Sequence, residues 1–148
     1  MEQGKSQAAR VRLPLLGLVA LGATLGTLLR VVIEGAFPFA PGSWPWSTFV
    51  INIVGSFLLG SLVEALARRG EDVGRRRALR LGLGTGVLGG FTTYSTFVME
   101  VVALEGLSGM GPSAGYALVS IALGIAAAGA GIALVGRLAR PQTPEAHL

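Results

Sequence analysis

Residues 86–97 read GVLGGFTTYSTF and place two adjacent glycines and five hydroxyl side chains inside an apolar part of the chain. Lipid offers backbone groups no water to bond, so an unsatisfied polar group there is costly. A break in a membrane helix is therefore tolerated only where protein buries it or where it lines a water-filled cavity. The stretch predicts a broken membrane helix, which favours a protein that moves a solute across a bilayer.

The composition of the chain indicates its class. Of its 148 residues, 51% are hydrophobic and only 14% are charged, against roughly 25% charged in soluble domains. A soluble protein this apolar would expose large apolar patches that cause aggregation, so the composition predicts a membrane protein. The chain has no cysteine, which excludes disulfides and thiolate metal sites.

Four windows approach or exceed the roughly 20 apolar residues that a membrane-spanning helix needs. They cover residues 13–33, 48–66, 79–104 and 116–135. The fold predicted is an all-α membrane protein with four transmembrane helices, the third broken at its centre. An N-terminal tail (1–12) and a C-terminal tail (137–148) flank a transmembrane domain (13–136). A cleaved signal peptide is the alternative for the first window, but two glycines and an arginine at helical spacing favour a retained helix.

Basic residues concentrate on one side of the predicted membrane. Eleven of the twelve lie before the first window, between the second window and the start of the third, or after the fourth: Lys5, Arg10, Arg12, Arg68, Arg69, Arg75, Arg76, Arg77, Arg80, Arg137 and Arg140. The positive-inside rule therefore predicts a multi-pass protein of the cell (inner or plasma) membrane with both termini in the cytoplasm. Charge at membrane boundaries reports topology, so no nucleic-acid partner is predicted.

The first window ends with a charged residue after a pair of small ones. Gly22 and Gly26 have the GxxxG spacing that lets another helix approach closely. Arg30 follows one turn later and is either a side chain that snorkels to the outer interface or a positive charge at the mouth of an anion path. Glu34, a further turn on, is placed to pair with Arg30 and weaken its field.

Polar and small residues form tracks on two other windows. Asn52 and Ser56 are four residues apart and share a helix face. In the fourth window Tyr116, Ser120 and Gly124 recur every four residues. A single asparagine within a membrane span most often forms a hydrogen bond that joins two helices. Two such tracks together favour a lined pathway, although tight helix packing also selects small residues.

The third window carries most of the candidate chemistry. Gly89 and Gly90 are expected to free the backbone from helical geometry. Carbonyls exposed near Gly89 and Thr92 are suited to a cation, as in the discontinuous helices of transporters, while an inert kink is the alternative. Tyr94 and Phe97 lie on one face, where the positive edges of their rings suit an anion; ordinary core packing is the competing interpretation.

Few residues support other chemistry. Glu100, one turn after Phe97, is either a snorkelling side chain or a vestibule residue. No acidic residue lies at the centre of a window, which disfavours a proton-coupled exporter. His147 is the only histidine and lies in the C-terminal tail, and the glycine-rich run at 82–90 lacks the Lys-Ser/Thr pair of a phosphate-binding loop. Nothing here supports an enzyme.

Three segments together resemble the small fluoride channel family (Fluc, also called CrcB). They are GATLGTLLR at 22–30, STFVINIVGSFLLG at 47–60 and GGFTTYSTFVME at 89–100. The last is highly specific, and the first two are moderately so. Their order and spacing reinforce the match, which extends over all four windows.

The resemblance implies a passive, fluoride-selective channel that lowers cytoplasmic fluoride and so gives fluoride resistance. It implies an antiparallel dimer in the lipid bilayer, with a structural sodium ion (Na+) at its centre that is not transported. By motif position, the main-chain carbonyls of Gly89 and Thr92 would hold this ion. The pore-lining residues would be Asn52, Tyr94, Phe97, Tyr116 and Ser120, and the vestibule residues Arg30 and Glu100.

The chain departs from the family pattern at two positions. The family usually has phenylalanine at both aromatic pore positions, whereas the first is Tyr94 here. The tyrosine hydroxyl is placed to donate to an anion or to shift the ring, so it bears on conductance. Gly124 stands where the polar track often continues with a hydroxyl residue, which shortens the track.

The distribution of charge bears on the partner. An antiparallel homodimer needs the same chain to insert both ways, and so needs basic residues balanced across the membrane. With eleven basic residues on one side, we expect this chain to insert one way and to pair with an oppositely oriented homologue. A homodimer is the alternative, in which folding of the pair outweighs the arginines.

Two other functions fit the residues without the resemblance. A small dimeric drug or cation exporter of four helices would need a membrane-embedded carboxylate, and the acidic residues Glu34, Glu64 and Glu100 lie towards the ends of windows. A non-transporting membrane scaffold would use its glycine-rich helices for assembly and would conduct no ions.

Overall fold

The chain folds into helices joined by short turns. A computed structural model describes the backbone of residues 2–139 and the side chains of residues 13–139. The helical elements, in chain order, are α1 (Glu2–Ala36), α2 (Trp46–Ala67), α3 (Gly74–Leu79), a π-helical segment (Arg80–Leu88), α4 (Gly89–Phe91), α5 (Ser95–Ser108) and α6 (Met110–Leu138). The side chains of Lys5, Arg10 and Arg12, and residues 140–148 with Arg140 and His147, lie outside the described part.

Four helical runs are long and apolar enough to cross a membrane. They are Leu13–Ala36, Trp46–Ala67, Gly74–Ser108 and Met110–Leu138, and each contains or overlaps one predicted window. Many of their large apolar side chains are exposed, among them Leu21 and Leu118. Extensive exposed apolar surface marks contact with lipid or with another protein. The prediction of an all-helical, four-span membrane protein is therefore confirmed.

The third span is bent, but its break lies later than the sequence predicted. Gly89 has helical backbone angles (φ −66°, ψ −33°). Thr92 is the first extended residue (φ −74°, ψ 155°), and the helix resumes at Ser95. The prediction of a break at the glycine pair is therefore wrong by about one turn of helix.

Gly90 serves close packing rather than backbone freedom. A Cβ atom placed on Gly90 would lie 2.9 Å from the Cα of Ala23 on α1, closer than side chains tolerate. Any other residue here would push α1 away from the third span. Glycine at position 90 therefore permits the close contact between the two helices, and the backbone opens at the residues that follow.

The first and third spans pack side by side through the predicted GxxxG pair. A Cβ on Gly22 would lie 3.0 Å from the backbone nitrogen of Val87, and one on Gly26 would lie 2.8 Å from that of Phe91. Successive residues of α1 therefore meet successive residues of the third span, so the two helices run parallel. The predicted close approach at Gly22 and Gly26 is confirmed.

The second and fourth spans also touch through backbone atoms. A Cβ on Gly60 of α2 would lie 3.1 Å from the Cα of Ala128 and would overlap its carbonyl group. Van der Waals packing drives helix association in lipid, so small residues at such crossings give the closest contact. This crossing holds α2 and α6 together beside the break.

We expect Gly60→Ala to lower the free energy of unfolding by about 1–3 kcal/mol, the usual cost of overpacking. Gly129→Ala is the matched control, because a Cβ on Gly129 meets no atom within 4 Å. Both changes raise helix propensity equally, so only the packing differs. Unfolding in mixed detergent measures the effect, and equal stability of the two variants would contradict the packing assigned to Gly60.

Candidate functional site

An open cleft of 420 Å³ lies where α2, the break of the third span and α6 meet. Six of the residues singled out from the sequence line it: Asn52, Gly89, Thr92, Tyr94, Phe97 and Ser120. Ser56 and Gly124, which belong to the two predicted tracks, line it as well. Asn52 and Ser56 on α2, Ser120 and Gly124 on α6, and the break thus share one space. Tyr116, Glu100 and Arg30 do not line the cleft.

Asn52 fixes the break from a neighbouring helix. Its side-chain nitrogen donates to the carbonyl of Thr93 at 3.0 Å, and the backbone N–H of Thr93 donates to the Asn52 side-chain oxygen at 2.9 Å. The amide therefore satisfies both backbone groups of a residue that the helix has released. Its second N–H forms no hydrogen bond among the described residues, and Asn52 lines the cleft.

The pairing by Asn52 has a consequence for the carbonyl of Gly89. In a continuous α-helix the N–H of Thr93 would bond to that carbonyl, four residues earlier, but here it bonds to Asn52. Among the described residues no N–H or hydroxyl donates to the carbonyls of Gly89 or Thr92. Unpaired carbonyl oxygens are costly in a membrane unless another group satisfies them.

Hydroxyl groups organise the rest of the break. The Thr92 hydroxyl donates to the carbonyl of Leu88 at 2.9 Å, and the N–H of Thr96 donates to the Thr93 hydroxyl at 3.2 Å. The Thr93 hydroxyl also contacts that of Ser95 at 3.3 Å. These side chains act as caps for the two halves of the helix.

Aromatic rings continue from the cleft towards the loop before α2. The ring centroids of Tyr94 and Phe97 lie 6.3 Å apart, and those of Phe97 and Tyr116 lie 5.3 Å apart. The Trp44 ring packs edge-on against Tyr116 at 5.3 Å. Tyr94 is 79% exposed, so its hydroxyl projects away from the chain rather than into a core.

Glu100 is buried, with 6% of its surface exposed, and each carboxyl oxygen accepts a hydrogen bond. The Thr48 hydroxyl donates to Oε1 at 2.7 Å, and the Tyr116 hydroxyl donates to Oε2 at 2.8 Å. The carboxyl group thereby ties together three of the four spans. Within one chain Glu100 faces neither solvent nor the cleft, so its vestibule role stays a prediction.

Arg30 is paired within its own helix. Its Nη1 atom lies 3.0 Å from Oε2 of Glu34, one turn later. The pairing anticipated from the sequence is confirmed, and Glu34 offsets the positive charge at this end of α1. The Arg30 Nε atom is buried and has no hydrogen-bond partner among the described residues.

Ser120 brings an unused hydroxyl to the cleft. Its Oγ atom is buried and has no hydrogen-bond partner within the described part of the chain. Tyr116, one turn earlier, donates to Glu100 instead of pointing along the track. Of the two hydroxyl-bearing residues of this track, only Ser120 lines the cleft.

Two functional side chains and one backbone contact were missed from the sequence. The Thr48 hydroxyl donates to Glu100, and the Trp44 ring packs on Tyr116 while its indole N–H has no partner among the described residues. The backbone of Thr93 bonds to the side chain of Asn52. Thr48 lies four residues before Asn52, a spacing that would have added it to the polar face of α2. The pairing of Thr93 had no local signal, since its partner lies 41 residues away.

We expect Tyr116→Phe to lower the free energy of unfolding by about 1–3 kcal/mol, because a buried oxygen of Glu100 loses its donor. Tyr94→Phe deletes the same hydroxyl from an exposed ring that forms no hydrogen bond among the described residues, and should change stability little. Unfolding titrations of the two variants measure the difference. A loss of equal size in both would contradict the structural role of the bond to Glu100.

The helices and the cleft define a class of protein. A multi-pass helical membrane protein with a broken span, and with polar groups collected at the break, has the architecture of a channel or transporter. Irregular backbone at this depth is tolerated where it lines a cavity, as it does at Thr92 and Thr93.

Comparisons with known proteins identify the family. Residues 17–132 match the family model described as "CrcB-like protein, Camphor Resistance (CrcB)". The chain is 50% identical over 117 residues to "Fluoride-specific ion channel FluC 2" of Leifsonia xyli, covering 79% of this chain and 80% of that protein. It is 44% identical over 120 residues to "Fluoride-specific ion channel FluC" of Agrobacterium fabrum, covering 80% and 94%.

The chain therefore belongs to the CrcB-like family, as its motifs predicted. A relative from Cutibacterium acnes, "Fluoride-specific ion channel FluC 1", is 48% identical over 114 residues. These relatives are named as ion channels and not as enzymes, in agreement with the sequence-based prediction.

Proposed function

We propose that this chain forms a passive, fluoride-selective channel that lowers cytoplasmic fluoride. The observation that carries the proposal is the cleft, where Asn52 and Ser120 carry hydrogen-bond donors that have no partner among the described residues and no carboxylate is among the lining residues. An anion leaving water needs donors to replace its hydration shell, and a nearby negative charge would repel it. The names of the relatives support fluoride as that anion.

The proposed channel is an antiparallel dimer. The cleft is open, and Tyr94 and Gly89 are exposed beside it, so a single chain leaves its polar groups facing outward. Lipid cannot satisfy such groups, whereas a second chain of related sequence can. Two chains related by a two-fold axis would enclose the clefts and complete the pathways.

A structural sodium ion fits the unpaired carbonyls at the break. Sodium is bound by oxygen ligands, and the carbonyls of Gly89 and Thr92 accept no hydrogen bond within the described residues. Two chains would together supply four such oxygens. When bound, the ion would neutralise these dipoles and hold the chains together without being transported.

The partner is either a second copy or an oppositely oriented homologue. We favour the homologue, with this chain in the cell (inner or plasma) membrane and both termini in the cytoplasm, because eleven of twelve basic residues lie on one predicted side. Tags on the N-terminus and C-terminus, expressed in cells that lack any homologue, test this orientation. Tags found on both faces of the membrane would overturn the one-way insertion.

Fluoride efflux from liposomes that contain the purified chain tests the function. With sodium present, we expect rapid fluoride efflux and no chloride efflux, either from the chain alone or after a homologue of opposite charge bias is added. Efflux from the chain alone would establish a homodimer. No efflux in either case would overturn the channel and leave an exporter or a non-transporting scaffold.

A further inference from the structure

A second cleft, of 490 Å³, lies between α1 and the start of the third span, away from the proposed pathway. Half of its lining residues are leucines: Leu18, Leu21 and Leu25 on α1, and Leu79 and Leu83 on the third span. These leucines are exposed, with Leu21 68% exposed and Leu25 63% exposed. Arg75 is the one charged residue among those that line this cleft.

The cleft extends over about two thirds of the thickness of one leaflet of a bilayer. From Leu18 to Leu25 the helix advances by seven residues, or about 10 Å at 1.5 Å per residue. Half of a hydrocarbon core is about 15 Å thick. Since α1 and the third span run parallel, Arg75 lies at the same end as Leu18, next to the basic connection between α2 and α3. The cleft therefore begins at a charged boundary and continues into the apolar layer.

Arg75 has no partner within the described part of the chain, whereas two neighbouring arginines form contacts. Arg76 donates to the carbonyl of Arg69. Arg80 lies 2.7 Å from Asp72, and this contact holds the pKa of the Asp72 carboxyl below its usual value. Arg75 forms no ion pair or hydrogen bond among the described residues. Its guanidinium has the fork geometry that binds a phosphate in a bidentate manner.

We propose that this cleft binds an anionic phospholipid, with an acyl chain between the leucines and the headgroup phosphate on Arg75. The charge complementarity decides between lipid and protein as the occupant. A second chain covering the leucines would have to supply its own acidic partner for the Arg75 guanidinium, whereas a headgroup phosphate pairs with it directly. The proposal depends on insertion of the chain in a membrane and not on the proposed channel activity.

Native mass spectrometry of the full chain in detergent tests the site, with phosphatidylglycerol and phosphatidylcholine as the added lipids. We expect phosphatidylglycerol to be retained more strongly, and Arg75→Gln to weaken its binding about fivefold, the weight of one arginine near an anionic surface. Arg77→Gln is the matched control, because Arg77 has the same charge two residues away and does not line the cleft. Equal losses in both variants would overturn the site and indicate only general surface charge.

A second pair of variants tests the apolar part of the cleft. Leu21→Trp should fill the cleft and reduce retention of both lipids, while Leu28→Trp, on an exposed α1 position outside the cleft, should not. Because the chain has no cysteine, Leu21→Cys reports whether a second copy covers the cleft instead. Efficient disulfide-linked dimers in lipid bilayers would overturn the proposal. Lipid retention is scored without ion flux, so failure of the channel function would leave this test intact.

Discussion

Replacing Asn52 by aspartate should abolish fluoride efflux while leaving the chain folded. The aspartate keeps the oxygen that accepts from the N–H of Thr93, but loses the N–H that donates to the Thr93 carbonyl. That carbonyl is then left unpaired, at a cost of about 1–3 kcal/mol, and a negative charge faces the path of an anion. The repulsion raises the barrier to an anion, and since each 1.36 kcal/mol is tenfold in rate, a rise of about 3 kcal/mol would lower efflux by about 100-fold.

Ser56→Ala is the control for the change at Asn52. Ser56 lies one turn later on the same helix and lines the same cleft, but its side chain forms no hydrogen bond among the described residues. Liposome efflux and circular dichroism of both variants separate transport from folding. Wild-type efflux from a folded Asn52→Asp channel would show that permeation depends neither on the two hydrogen bonds between Asn52 and Thr93 nor on the absence of charge in the cleft.

The spans could be predicted because hydropathy and length act locally. A run of apolar residues long enough to cross lipid has few alternatives to a helix, and all four predicted windows lie on helices. The close approach of another helix at Gly22 and Gly26 could also be predicted, because residues four apart lie on the same face of any α-helix. Arg30 and Glu34 pair for the same reason.

The position of the break could not be predicted from local preference. The adjacent glycines are the most permissive residues of the third span, yet they stay helical, because the neighbouring α1 packs against Gly90. The helix opens instead at Thr92 and Thr93, where Asn52 captures the released backbone. The site of opening is thus decided by a side chain from another helix, whose position no sequence window contains.

The environment of Glu100 was also hidden from the sequence. Its hydrogen-bond donors, Thr48 and Tyr116, lie 52 and 16 residues away, on α2 and α6. Position near the end of an apolar window suggested an interfacial carboxylate. Only the assembled helices show that two hydroxyls donate to this carboxyl group. Glu100 is therefore expected to stabilise the packing of the spans and not to contact water at the interface.

Filling the space beside the Gly89 carbonyl should remove sodium-dependent activity. Gly89→Leu fits the chain itself, because Gly89 is helical and a Cβ there has its nearest contact at 3.8 Å, with the carbonyl of Gly84. The added side chain would instead occupy the exposed surface where a second chain is proposed to approach. Without that approach the four carbonyls cannot share one ion, so we expect loss of both the dimer and the efflux. Replacing sodium by a bulky organic cation should reduce efflux of the wild-type chain in the same way.

Gly17→Leu separates this effect from the simple addition of a large side chain. Gly17 is an exposed helical glycine in the first span, and a Cβ there meets no atom within 4 Å. Cross-linking in bilayers measures the dimer fraction, and efflux is recorded with and without sodium for both variants. The sodium proposal requires Gly89→Leu to fail in both assays while Gly17→Leu matches the wild type. A Gly89→Leu protein that dimerises and conducts with unchanged sodium dependence would place the ion elsewhere, and the unpaired carbonyls of Gly89 and Thr92 would then need another partner, with the donors of the facing chain as the nearest source.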